Sequence, residues 1–127
     1  MGGRGARMLP NGFTSQEYKA VGSIAGVKVL RKIEGNQNIP DRSNTPGTAY
    51  IRLSDDNKFR QYREYGQDRK PVFELGYGNH KGITSLHVHY WEGDVRHTRE
   101  FTGKDDEKHG KMLRAAGMRK VGGKYVW

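Results

Sequence analysis

Residues 71–91 read PVFELGYGNHKGITSLHVHYW, and this stretch decides how the rest of the chain is arranged. It contains two runs rich in aliphatic and aromatic residues, which predict two strands joined by a loop at 78–85. The second strand alternates an apolar set with two imidazoles and an indole: Leu86, Val88 and Tyr90 against His87, His89 and Trp91. Such alternation predicts a sheet with one face in the core and the other face available for function.

Further strands are predicted on both sides of this stretch. Residues 16–33 have the pattern of a hairpin with its turn near Ala25 and Gly26, and residues 48–53, 58–65 and 95–102 each favour a strand. Strict alternation in 58–65 predicts that one face carries Phe59, Gln61, Arg63 and Tyr65. Residues 34–47 contain two prolines and indicate a long loop. Short turns between the other strands predict an antiparallel meander.

A helix is predicted after the last of these strands. Thr102 is a candidate N-cap, acidic residues follow it, and Arg119 and Lys120 would lie in the last turn. The glycines at 122–123 would end the helix, and residues 124–127 would add a short strand. The predicted fold class is therefore α+β, an antiparallel sheet with one or two helices, including a C-terminal helix.

Length and composition indicate one small domain. The chain has 127 residues, of which 33% are hydrophobic, so it can bury one modest core. Residues 1–15 are rich in Gly and Arg without periodicity, which favours a flexible basic arm ahead of a single domain at 16–127.

The charge favours an anionic partner. The formal net charge is +9, and an excess of this size on a small domain is typical of proteins that bind RNA or another nucleic acid. An acidic protein surface is the alternative. The sequence contains no run of 18 apolar residues, so we expect no membrane span. The first ten residues lack the apolar region of a secretion signal. The absence of cysteine is compatible with a reducing cytoplasm.

The histidines indicate acid–base chemistry. Two imidazoles on one strand face can accept the 2′-hydroxyl proton of RNA and protonate its 5′-oxygen leaving group without a metal ion. The candidate catalytic residues are His80, His87 and His89. The candidate residues for phosphate and nucleic-acid binding are Arg63, Lys81, Arg96 and Trp91. The alternative is that the histidines only form a solvated strand face.

A metal site is a second alternative for the same histidines. His87 and His89 could share one ion, with His80 or His97 as a third ligand. The stretch lacks a carboxylate cluster, so we expect neither a metal nor another cofactor.

Residues 59–91, FRQYREYGQDRKPVFELGYGNHKGITSLHVHYW, resemble a domain at the C-terminal ends of bacterial polymorphic toxins and in phage head-morphogenesis-locus proteins. The shared features are a Tyr-bearing strand, a turn before a proline, a His-bearing Gly-rich loop and a closing strand similar to H-x-H-x-W. The opening GGRGA is similar to the start of small phage proteins with this module.

The resemblance implies a nuclease fold like that of barnase, EndoU, colicin and RelE, with metal-independent endoribonuclease activity. It places His80, His87 and His89 on the histidines of the motif. It also implies a phage-type protein in the cytoplasm of the host bacterium or associated with the virion. The chain departs from the family at 74–80, where ELGYGNH stands in place of an Asp and a second His or Pro. A non-catalytic phage accessory protein, which binds a virion component or inhibits a host defence protein, is therefore the alternative.

Overall fold

The computed structural model describes residues 18–32, 43, 45–80 and 83–127, without the side chains of residues 32, 79, 80 and 83–85. Its elements are β1 Tyr18–Ile24, β2 Val27–Lys32, β3 Ala49–Leu53, β4 Phe59–Tyr65, β5 Pro71–His80, β6 Ile83–Glu92, β7 Val95–Glu100, α1 Gly103–Ala115, β8 Arg119–Val121 and β9 Lys124–Val126. The predicted arm at 1–15 and most of the predicted loop at 34–47 lie outside the described residues. One large sheet, one helix and a small hairpin make the architecture α+β.

Seven strands form one mixed sheet in the order β1-β2-β3-β4-β5-β6-β7. The predicted antiparallel pairing holds for β1 with β2 and for every neighbouring pair from β3 to β7. It fails between β2 and β3, which are parallel and pair Val29 with Ile51. Parallel neighbours require a long connection, and residues 33–48 between these two strands supply one.

The two strands of 71–91 form a long hairpin at the centre of the fold. Their antiparallel register runs from Phe73 opposite Tyr90 to His80 opposite Ile83. The predicted loop at 78–85 is therefore too long, because β5 continues to His80 and β6 begins at Ile83. The predicted alternation of β6 is confirmed, with Val88 fully buried in the core.

A β-bulge in β4 changes the alternation that the sequence predicts. The register against β3 passes from Gln61 directly to Phe59, so Arg60 is an extra residue. Phe59 is buried in the same core as Tyr62. The prediction that Phe59 shares a face with Gln61 and Arg63 is therefore wrong, since the bulge moves it to the other side.

The core lies between the sheet and α1. Ile51, Leu75 and Val88 come from β3, β5 and β6, and Leu113 of α1 belongs to the same core; all four are 0% exposed. Each such side chain stabilises the fold by about 1.5–3 kcal/mol through apolar burial. Trp127 also packs against this core, and its indole N–H donates to the Phe59 carbonyl at 2.7 Å.

The helix begins where the sequence predicts and ends earlier. The Thr102 backbone N–H donates to the Asp105 carboxylate at 2.8 Å, and the Arg99 guanidinium of β7 donates twice to the same carboxylate. Gly117 follows the helix with φ +94°, a conformation that glycine adopts readily. The prediction that the helix reaches residue 120 is wrong, because residues 119–126 turn back as the β8–β9 hairpin.

The other side of the sheet is only partly covered by described residues. Leu30, Tyr50 and Tyr65 form a small buried cluster there, and the Ser43 hydroxyl lies 3.1 Å from the Tyr50 hydroxyl. Over β3–β7 no described helix or strand packs on this side, which we call the open face. Among the described residues, no helix combines the length and apolar character that a membrane crossing requires.

Candidate functional site

The strand register aligns polar residues in two neighbouring rows across the open face. Cross-strand partners project to the same side of a sheet, so residues distant in sequence become neighbours. One row consists of Arg52, Gln61, Gly76, His87 and Glu100, and the next of Tyr50, Arg63, Glu74, His89 and Thr98.

The imidazole of His87 lies over Gly76. A Cβ atom at Gly76 would be 3.0 Å from Nε2 and 3.4 Å from Cε1 of His87. The glycine therefore provides the space that the ring occupies. The ring centroids of His87 and His89 are 4.9 Å apart, and the rings are inclined at 76°. The two imidazoles are therefore in contact, on the one strand face where the H-x-H pattern places them.

His89 is enclosed and neutral. It is 9% exposed, and its Nδ1 lies 2.9 Å from the Thr98 hydroxyl. Burial lowers its pKa to about 4, and the positive charge of Arg96 acts in the same direction. At neutral pH its ring can accept a proton from a neighbour, but it has none to lose as an acid.

Glu74 and Arg63 form a buried ion pair beside the imidazoles. Glu74 is 5% exposed, and both Nε and Nη2 of Arg63 lie 2.6 Å from its Oε1. The predicted role of Arg63 is phosphate binding. In this structure its guanidinium compensates the Glu74 charge, which would otherwise be unpaired away from water.

An open groove of about 210 Å³ crosses the same face. Three arginines line it together with the two imidazoles: Arg52, Arg60, Arg96, His87 and His89. The bulge in β4 is what allows Arg60 to border this groove alongside Arg52. Burial lowers the pKa of Arg52, and the nearby charge of Arg60 lowers it further. The groove therefore concentrates positive charge at one position.

Trp91 lies at one side of this groove. The guanidinium carbons of Arg63 and Arg96 are 5.8 Å and 5.9 Å from its ring centroid. Both distances fall within the range of cation–π contacts. The indole thus positions Arg96 at the groove.

The predicted site residues fall into three groups. His87, His89 and Arg96 meet at the groove, and Trp91 adjoins them through Arg96. Arg63 is near but is held by Glu74. The prediction for Lys81 lies outside the described residues, as does that for the His80 side chain, although the His80 backbone pairs with Ile83.

Four charged or amide residues of the groove were not among the predicted site residues: Arg52, Arg60, Gln61 and Glu74. The position of Glu74 could have been predicted, because alternation in β5 places Glu74 and Gly76 on the side of the strand opposite Leu75. The positions of Arg52 and Arg60 could not, since their approach to the histidines depends on the strand register and on the bulge.

His97, the alternative third metal ligand, lies on the opposite side of the sheet. Its ring stacks on Tyr90 with centroids 5.0 Å apart, and its Nε2 lies 2.7 Å from a Glu92 oxygen. Within the part of the chain that the structure describes, no three His, Cys, Asp or Glu side chains converge as metal ligands.

The enclosed imidazoles predict a pH-dependent stability. The folded pKa of His89 is about 4 against 6.5 for a free imidazole, so the unfolded chain binds more protons between these values. Acidification from pH 6.5 to 4 should therefore lower the free energy of unfolding, with about 3 kcal/mol from His89. Burial also lowers the pKa of His109, so protonation of this residue on acidification should lower the free energy of unfolding as well. Arg99 holds the pKa of the Asp105 carboxyl well below its usual range. Below about pH 4, protonation of Asp105 should therefore lower the free energy of unfolding further.

Urea unfolding from pH 4 to 8 measures this effect. His89→Asn keeps a polar group near Thr98 and should flatten the dependence between pH 4 and 6.5. His89→Asn combined with His109→Asn should flatten it further. An unchanged pH slope in the single variant would contradict the assignment to His89.

No protein-family model, no curated protein and no solved structure matches this chain. A function for this chain is therefore inferred from the geometry of the groove and from the chemistry of its residues.

Proposed function

We propose that the open face binds RNA and that the chain is a metal-independent endoribonuclease with an acid–base pair at His87 and His89. One observation carries the proposal: three arginines and two contacting imidazoles converge on a single groove. A phosphate group in this groove would neutralise the positive charge and lie beside the imidazoles. The net charge of +9 would attract a polyanion to the same molecule.

The arginines are available for an external anion. Among the described residues, no carboxylate forms a salt bridge with Arg52, Arg60 or Arg96. Arg52 donates instead to the neutral amide oxygen of Gln61 at 3.1 Å. Glu74 also lines the groove, but its carboxylate is paired with Arg63. The three clustered guanidinium groups therefore repel one another, and a phosphate relieves this repulsion through charge-assisted hydrogen bonds.

The proposed reaction uses the different environments of the two imidazoles. Neutral His89 accepts the proton of a ribose 2′-hydroxyl, and the 2′-oxygen attacks the adjacent phosphorus. His87 in its protonated form donates a proton to the 5′-oxygen as the P–O5′ bond breaks, which leaves a 2′,3′-cyclic phosphate and a free 5′-hydroxyl. Arg52 and Arg60 stabilise the negative charge that grows on the phosphate oxygens. An anion at the groove would also raise the basicity of His89 by offsetting the charge of Arg96.

This proposal agrees with the resemblance of residues 59–91 to toxin and phage domains. We accordingly propose a small basic protein of phage type that acts in the cytoplasm of the host bacterium or with the virion. The enclosure of His89 favours a second candidate, a non-catalytic phage accessory protein that binds a virion component or inhibits a host defence protein. Binding of RNA without cleavage, or a stable protein partner in place of RNA, would support that second candidate.

The groove can be tested by removing its charge. The variant with Arg52→Gln, Arg60→Gln and Arg96→Gln should bind a labelled single-stranded RNA about tenfold or more weakly, with a shallower dependence of affinity on salt. The matched control changes three exposed lysines of α1, on the other side of the sheet, by Lys104→Gln, Lys108→Gln and Lys111→Gln. It removes the same charge and should weaken binding much less.

Fluorescence anisotropy over a series of salt concentrations measures both effects. Cleavage of the same RNA is followed in EDTA, where the proposed chemistry should continue. Equal losses in the two triple variants would show that only the overall charge matters and would overturn the groove assignment. Intact RNA in all conditions would overturn the enzymatic proposal.

A further inference from the structure

A second cavity adjoins the groove and shares His87 with it. Its volume is about 290 Å³, and its lining consists of Leu86, His87, Glu100, Phe101, Gly123, Lys124 and Tyr125. It lies where the interior of β6 and the C-terminal end of β7 meet the β8–β9 hairpin. His87 thus separates an arginine-lined groove from a cavity of mixed aromatic and polar character.

The aromatic wall of this cavity is held in place by α1. Phe101 and Tyr125 are in edge-to-face contact, with ring centroids 5.8 Å apart and planes at 88°. The Tyr125 hydroxyl donates to the Asp106 carboxylate and accepts from Arg114 at 2.9 Å. A wall fixed in this way keeps its shape when a flat ring enters beside it.

Two charged groups border the same cavity. Glu100 lies directly opposite His87 in the β6–β7 register, and Lys124 begins β9. Among the described residues, neither the Glu100 carboxylate nor the Lys124 ammonium forms a salt bridge. The cavity therefore offers an acceptor and a donor beside apolar side chains, which is the combination that recognises the edge and faces of a small polar ring.

We propose that this cavity binds the nucleobase next to the phosphate in the arginine groove and selects bases with an exocyclic amino group. The proposal rests on the proposed function, because the phosphate groove defines which nucleotide reaches His87. The volume is near the lower end for ligand pockets, so it suits a single base. The Glu100 carboxylate accepts hydrogen bonds and donates none. It therefore favours adenine and cytosine, which present an amino group, over uracil, which presents an oxygen at the corresponding position.

The base preference is measured with short homopolymers. Oligomers of adenosine or cytidine should bind about tenfold more tightly than an oligomer of uridine of the same length. Glu100→Gln should bring the ratio close to one, because an amide serves both kinds of base. Glu107→Gln, an exposed change of the same charge on α1, should leave the ratio as in the wild-type protein.

Each result separates this proposal from the function on which it rests. If all homopolymers bind equally and the arginine variant loses binding, the groove stands and the base site is wrong. If Glu100→Gln keeps the full preference, the assignment to Glu100 is wrong. Cytidine and uridine without phosphate test the cavity independently of the groove: cytidine should shift the backbone amide signals of Gly123 and Lys124 in NMR spectra more than uridine does. Equal shifts, or none, would overturn the proposed selection.

Discussion

Glu74→Gln is expected to lower the free energy of unfolding by about 3–5 kcal/mol, because it removes the buried carboxylate that pairs with the guanidinium of Arg63. Glu74 is 5% exposed, and the two Arg63 nitrogens are 2.6 Å from its carboxylate oxygen. The Tyr65 hydroxyl, which also hydrogen-bonds Arg63, carries no charge to replace the carboxylate. Urea unfolding at neutral pH measures the loss.

Two comparisons test whether this loss comes from the buried charge. The double change Glu74→Leu with Arg63→Met removes both charges and should recover much of the stability, since a buried ion pair is often replaceable by apolar groups of similar volume. Asp94→Asn breaks an exposed ion pair with Lys70 and should cost less than about 1 kcal/mol. A loss below about 1 kcal/mol in Glu74→Gln would mean that water compensates Arg63 at this position.

His87→Ala is expected to reduce RNA cleavage by about 10²-fold to 10⁴-fold, the usual range for loss of a general acid. The arginines of the groove remain, so the change should lower cleavage much more than RNA affinity. Single-turnover cleavage in EDTA and anisotropy with the same RNA separate the two quantities. Cleavage at the wild-type rate would remove His87 from the mechanism.

Gly76→Ala tests the position of His87 and keeps its imidazole. The new methyl group would lie 3.0 Å from Nε2, so the ring must move by a few tenths of an ångström or more. We expect a loss of cleavage of about tenfold to 10²-fold, since proton transfer depends closely on geometry. Gly22→Ala, a strand glycine with nothing within 4 Å of the added atom, is the matched control. It should leave cleavage near the wild-type rate.

Most elements could be predicted from local patterns. The alternation of β6 correctly separated Val88 from His87 and His89, and the turn at Ala25–Gly26 correctly joined β1 and β2. These patterns are reliable because a strand projects successive side chains to opposite sides whatever its neighbours are. The start of α1 after Thr102 was predictable for a similar reason, since capping depends on a few adjacent residues.

The predictions from sequence were wrong where the local structure depends on residues that are distant in the sequence. The sequence signals allow a helix to residue 120, but Gly117 ends α1 and residues 119–126 form a hairpin over the same core. The alternation of β4 is interrupted at Arg60, because the register against β3 passes over this residue. The parallel pairing of β2 with β3 likewise has no local signature.

By itself, the sequence determined the basic charge, the strands of 71–91, the face of β6 with its two imidazoles, and the beginning of the helix. Only the tertiary structure decided that Arg52, Arg60 and Arg96 meet those imidazoles, that Arg63 pairs with Glu74, and that His89 is enclosed and neutral. The physical reason is that side-chain direction follows from the backbone of one strand. Proximity and burial instead follow from the register between strands, which is set by packing across the whole sheet.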